Sequence, residues 1–350
     1  MSGYSRRMEF DREGPRLPAP RGPVSEAVAA HLLGTGPLPA PEAVAAAPVY
    51  GDDLQLALYQ CYELHYRGFA GVPPDLEWDP DLLRTRAGLE RRFLAALRAD
   101  TPVHDSVEDA VGALLVEPVL GEGVSHFLRD EGELWQLREY AAQRSLYHLK
   151  EADPHAWVLP RLWGRSKAAM AAVEFDEYGG GRADRVHARL FADLMTDLDL
   201  DTTYGRHLDA ASAECLATVN MMSLFGLHRA LRGALVGHFA AVEITSSPGS
   251  RRLAEAMRRT GAGPAAEHFY DEHVEADAVH EQIVRHEVID GLLEQEPWLA
   301  PDVVFGIDAT GFVEDRFGDR LLADWRAGRS SLRTPLPATS RVREEIAHIP

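Results

Sequence analysis

His273-Val-Glu-Ala-Asp277-Ala-Val-His280 is the stretch from which this chain can be read. An α-helix turns about 100° per residue, so positions i, i+4 and i+7 fall within roughly a 60° arc. On a helix the two imidazoles and the carboxylate share one narrow stripe. Together they suit an ion that takes nitrogen and oxygen ligands, such as iron, manganese or zinc. Phe269, Tyr270, Val274, Ala276, Val279 and Ile283 supply apolar positions around the helix, which predicts that part of the stripe is buried. Buried imidazoles and carboxylates need partners or a metal. The competing reading is a solvated face of an acidic helix.

Outward from this stretch the chain reads as long helices separated by short breaks. Expected spans are Glu133–Lys150, Leu159–Tyr178, Ala183–Leu198, Asp201–Phe225, Leu227–Thr245, Ser250–Thr260 and Pro264–Leu293, with breaks at 179–181, 246–249 and 261–263. No alternating strand pattern recurs, so the fold class is all-α. Residues 1–48 are rich in Pro, Ala and Arg and are expected to be largely disordered, with a short helix at Pro23–Leu33. Residues 49–130 form an N-terminal helical segment and residues 131–296 a helical core. Residues 297–350 are a C-terminal extension with one turn-rich element and a short helix near Arg320–Ala327.

Composition narrows the function. A chain of 350 residues buries a substantial core. A net charge of −19 argues against a nucleic-acid partner held through phosphates. No apolar run is long enough to cross a membrane, and the first 23 residues lack the apolar centre of a secretory signal. Cys61 and Cys215 are too few for a disulfide framework or an iron–sulfur cluster. Reduced thiols and a cytoplasmic location are expected.

Further candidates lie upstream. Glu243 sits in the otherwise apolar run Gly237-His-Phe-Ala-Ala-Val-Glu-Ile-Thr245, where a carboxylate is costly without a cation; Arg232 or Arg251 could supply one instead of a metal. Glu177 and His187 flank a triple glycine. Ten residues apart, they would lie about 80° apart on one helix, so the glycines must end one helix and begin another for both to reach one point. Glu151 lies in His148-Leu-Lys-Glu-Ala-Asp-Pro-His155, where His148, Asp153 and His155 compete with it. Glu63 and His65 point about 160° apart on a helix and read as structural. Met221, Met222, Phe225 and Phe239 read as core, and His228, Arg229 and Arg232 as a basic face or a seat for a substrate carboxylate.

Taken in order, Glu151, Glu177, His187, Glu243, His273, Asp277 and His280 resemble the ligand pattern of the heme-oxygenase-like diiron oxidases and oxygenases, the iron-containing redox enzymes. Glu243 follows His187 by 56 positions (243 − 187), and His273 follows Glu243 by 30 (273 − 243). Glu151 matches the additional upstream Glu of the seven-ligand N-oxygenase branch, which it precedes Glu177 by 26 positions to do (177 − 151). The resemblance covers roughly residues 130–295. It implies a heme-oxygenase-like helical bundle of about seven core helices and two Fe(II) ions held by those seven residues. It also implies O2 as co-substrate, an external electron donor, and a homodimer aided by the N-terminal helical segment. The implied reaction is N-oxygenation of a small amine or amino acid through a peroxo-diferric species. Oxidative C–C cleavage or desaturation of an amino or fatty acid is the alternative. A non-enzymatic helical protein binding heme or another ligand is the second alternative. A thiaminase-type hydrolase would need a nucleophile, for which Cys215 is the candidate.

Overall fold

A computed structural model describes residues 14–116 and 121–336. The principal helices are α1 (Pro23–Leu32), α2 (Asp52–Glu63), α3 (Pro80–Asp100), α4 (Leu134–His148), α5 (Gly164–Glu177), α6 (His187–Asp197), α7 (Ala213–Leu227), α8 (Arg232–Thr260), α9 (Pro264–Ile283) and α10 (Ala300–Arg326). No strand occurs among the described residues. The all-α expectation holds.

Local chemistry sets the helix ends. Asp79 caps α3 by accepting from Leu82 N at 2.7 Å, with Pro80 at the first helical position. At the start of α4, Glu133 N donates to the Gln136 side chain at 2.7 Å in a capping box. Gly261, at φ 65°, closes α8 in the left-handed conformation. The next helix is capped from elsewhere: Asp197, the last residue of α6, accepts from Ala265 N at 2.6 Å and Ala266 N at 3.2 Å. That contact ties the C-terminus of α6 to the N-terminus of α9, and so helps to fix His187 relative to His273.

α8 is the central rod, packed between α9 and α10. Two segments expected to be separate helices form this one rod, and the predicted break at 246–249 is absent although Pro248 lies inside it. An interior proline removes a backbone hydrogen bond and costs about 3 kcal/mol. Burial against neighbours on two sides outweighs that local preference. α10 is a second correction, since 27 residues of continuous helix replace the expected turn-rich element and short helix. Gly306 within it serves contact rather than turning. A Cβ at Gly306 would fall on the Ala234 carbonyl oxygen of α8, and one at Gly237 on that of Val303.

Gly306→Ala is therefore expected to destabilise the protein by about 2–3 kcal/mol in chemical denaturation, because backbone cannot yield as a side-chain tip can. Gly311→Ala is the control on the same helix, where a Cβ meets nothing within 4 Å. There the better helix propensity of alanine should leave stability unchanged or raise it slightly. Equal losses at both positions would refute the close-approach account.

The expected disorder of residues 1–48 is corrected over residues 14–48; residues 1–13 lie outside the described part. Val24, Val28 and Leu32 give α1 an i, i+4, i+8 face that is fully buried, and α1 packs on α2. Asp53 of α2 caps α1, accepting from Ser25 N at 2.7 Å and Val24 N at 3.0 Å. The Pro- and Ala-rich composition concealed a short amphipathic helix with cover available. No helix among the described residues is long and apolar enough to cross a membrane.

Candidate metal centre

Between Asp271 and Gln282 the buried positions of α9 are His273, Asp277 and His280, while Val279 is 59% exposed. The helix thus turns its polar stripe inward and leaves an apolar residue in water. That is the reverse of ordinary amphipathic burial, and it needs a compensating cation or hydrogen-bond network.

The structure brings all seven expected residues together in two groups. Glu151, Glu177, His187 and His273 offer ligand atoms within 4.8 Å of one another; so do Glu177, Glu243, Asp277 and His280. Glu177 belongs to both. It ends α5, and three glycines at positive φ (74°, 59° and 80°) reverse the chain so that His187 opens α6. Nδ1 of His187 consequently lies 2.7 Å from Glu177 Oε2. From α9, Nδ1 of His280 is 3.2 Å from Glu243 Oε2, 3.7 Å from Glu177 Oε1 and 3.7 Å from Asp277 Oδ1. Arg232 is not the partner of Glu243, because its Nε donates to Glu296 at 3.1 Å.

Glu151 follows α4 in a turn whose next residue, Ala152, is fully packed at φ 71°. A non-glycine residue there costs about 1–3 kcal/mol and persists only where the surroundings impose it. His148 lies 2.7 Å from Glu151 Oε1 through Nδ1, and His273 Nε2 is 3.8 Å from the same oxygen. Burial opposes ionisation of Glu151, but His148 and His273 hold its carboxyl well below the usual range. His148 thus orients Glu151 instead of competing with it. Asp153 accepts from the Tyr178 hydroxyl at 3.0 Å, and His155 is buried nearby with Nε2 unpartnered.

The pattern of unsatisfied atoms tests the fit to a metal. Glu151 Oε2, His187 Nδ1, His273 Nε2 and Asp277 Oδ2 are buried and have no hydrogen-bond partner. His187 Nδ1 and Glu177 Oε2 are close, yet not aligned for a hydrogen bond. Nδ1–H of His273 donates to Phe269 O at 2.7 Å, which leaves Nε2 as the ring nitrogen toward the cluster, the one a metal would take on displacing its proton. Each unpaired buried polar group costs about 1–3 kcal/mol, and four of them in one cluster fit a cation of the nitrogen- and oxygen-loving kind. No sulfur takes part. Cys215 is buried, donates to Gln143 O at 3.3 Å, and has its thiol pushed up to about 12 by burial, so it is no activated nucleophile.

One residue escaped the sequence reading. Glu174 is 2% exposed with neither oxygen hydrogen-bonded, one turn before Glu177. Burial, then the Glu177 and Glu243 carboxylates, push it up to about 9, so it holds a proton at neutral pH. Its signal was a carboxylate three positions from a candidate ligand on an apolar helix. Glu63 proves structural as expected, with no exposure and Lys150 Nζ donating to it at 3.1 Å.

A cavity of about 540 Å³ has Glu151, Glu177, Glu243, His273 and Asp277 in its wall. Met222, Phe239, Leu253, Phe269 and Phe317 give it apolar sides, whereas Met221 and Phe225 are plain core. His228, Arg229 and Arg232 do not line it.

The family model of the iron-containing redox enzymes, a heme-oxygenase-like family, matches residues 138–312. The chain belongs to this family. The match runs into α10, so the core extends past residue 296, where the sequence placed its end. Among curated proteins, none matches the chain. Membership and the buried Glu/His groups identify an oxidoreductase of the iron-containing redox enzyme family.

Proposed function

We propose that this member of the iron-containing redox enzymes is a non-heme diiron oxygenase that inserts oxygen at the nitrogen of a small amine or amino acid. The observation that carries the reading is the sharing of Glu177 between two four-residue groups. Glu151, His187 and His273 with Glu177 would hold one iron; Glu243, Asp277 and His280 with Glu177 would hold the other. Four carboxylates offset the charge of two Fe(II) ions, and three neutral imidazoles complete the set. Glu151, the additional upstream carboxylate, favours the N-oxygenase reading within the family.

When bound, the iron pair supplies two-electron reduction of O2. The protein's own part lies in placement. Phe269 O fixes the tautomer of His273, and His148 orients Glu151. The apolar walls limit water, and Glu174, protonated in the metal-free centre, lies one turn before the shared Glu177. Overall, amine, O2, two electrons from an external donor and two protons give hydroxylamine and water.

Protein produced with Fe(II) is expected to carry about two irons per chain, as two complete donor sets require. With ¹⁸O2, a donor and an amine, the label should appear on nitrogen. An iron-free protein overturns the diiron reading; an alkene or a cleaved carbon chain as product replaces N-oxygenation by the alternative chemistry.

A further inference from the structure

The charges along the cavity differ between its buried and its exposed residues. Its exposed part carries Glu122, Asp315 and Asp319, none of which pairs with a Lys or Arg among the described residues. Asp315 and Asp319 stand one turn apart on α10, an unfavourable like-charge spacing. The one Arg or Lys among the described lining residues is Arg144, and its charge is committed. Both its terminal nitrogens donate to Glu314, at 2.9 and 2.5 Å, and its guanidinium lies over the rings of Tyr140 and Phe317. Tyr140, Tyr147 and Tyr270 also line the cavity. Each is at least nine-tenths buried, and their hydroxyls have no hydrogen-bond partner among the described residues. These tyrosines place hydrogen-bonding groups in the cavity wall.

We infer that the cavity takes a diamine-type substrate, with an uncharged amine at the iron centre and a distal ammonium held by Asp315, Asp319 and Glu122. The inference deepens the proposed amine oxygenation and rests on it for the inner nitrogen. With two Fe(II) ions the inner end is neutral, which suits the uncharged nitrogen that oxygenation needs. The outer end keeps net negative charge, which draws in and holds a cation. A substrate carboxylate finds no uncommitted Lys or Arg along the described wall to offset its charge. The substrate class thereby narrows from amine or amino acid to amines without a carboxylate.

The test is anaerobic calorimetry on the iron-loaded protein with 1,5-diaminopentane, n-pentylamine and 5-aminopentanoate. The diamine is expected to bind about tenfold or more tightly than the monoamine, as charge pairing in a cleft allows, with the aminoalkanoate weakest. The double variant Asp315→Asn/Asp319→Asn should bring the diamine close to the monoamine and leave the monoamine unchanged. Both positions are exposed, and unchanged iron content and circular dichroism confirm the fold. Equal binding of all three probes, or a variant that keeps the wild-type ranking, overturns the inference. Binding needs no turnover, so the two readings fail separately. The expected ranking with no nitrogen–oxygen product under O2 supports the charge reading while removing amine oxygenation. Products formed only from carboxylate-bearing amines do the reverse.

Discussion

Glu177→Ala is expected to bring iron content from about two per chain to near zero, a larger loss than at any other candidate ligand. Glu177 alone belongs to both groups, with Oε2 beside His187 and Oε1 3.7 Å from His280. Removing it leaves each iron three residues and no shared carboxylate to offset the repulsion between two dications. Disturbing even an orienting partner of a metal ligand typically costs about 10–100-fold in affinity or activity, and loss of a shared ligand should exceed that at both sites. His187→Ala and Asp277→Ala each affect one group, so elemental analysis should return about one iron. Turnover should fall by about 1000-fold or more in Glu177→Ala, since the proposed reaction needs both metals. A folded Glu177→Ala protein that retains a full complement of iron would end the shared-carboxylate arrangement.

Iron uptake is expected to release protons and to strengthen steeply with pH. Burial works against a charged His273, but Glu151 more than compensates and raises the ring to about 10. His280, also buried, is raised to about 11, with Asp277 and Glu243 as its strongest partners. Burial, and then Asp277 and Glu177, push Glu243 up to about 8 despite its contact with His280. At pH 7 the metal-free protein therefore holds protons on all three, and a bound metal must displace them. About two to three protons should appear per iron pair in weakly buffered solution, and apparent affinity should rise about 100- to 1000-fold per pH unit near neutrality.

The same shifts fix the sign for stability without metal. Histidines raised above 6.5 contribute stability that is present below that pH and lost as pH rises through about 10–11. Glu243, an acid raised from 4.5 to about 8, is destabilised by ionisation over that interval. Both effects run the same way, so the metal-free protein should melt lower at pH 9 than at pH 6.5. Iron should flatten that slope, and a metal-free protein stable to pH 9 would contradict the charges assigned to the cluster.

Periodicity and chemistry made much of the centre legible. The α9 stripe followed from i, i+4, i+7 spacing, and Glu243 from a lone charge in apolar surroundings. Glu177 and His187 followed from glycines that had to turn the chain. What escaped depended on partners distant in sequence. Pro248 and the α10 glycines look like helix breakers locally, and only packing between α8 and its neighbours shows why the rods continue. Nothing near Asp197 says that it caps α9. The cavity's charge arises from residues on either side of the core, and Arg144 appears free until Glu314, 170 positions away, is seen to hold it.

Asp176 gives the centre a sidedness. Its carboxylate is 58% exposed, yet it reaches to 3.4 Å from Nε2 of the otherwise sealed His280. The group around His280 therefore sits one residue beneath bulk solvent, while His273 faces the interior chamber. Loading and leaching should be sequential: a chelator strips the His280 metal through this thin wall first, leaving a one-iron form as a distinct and isolable species.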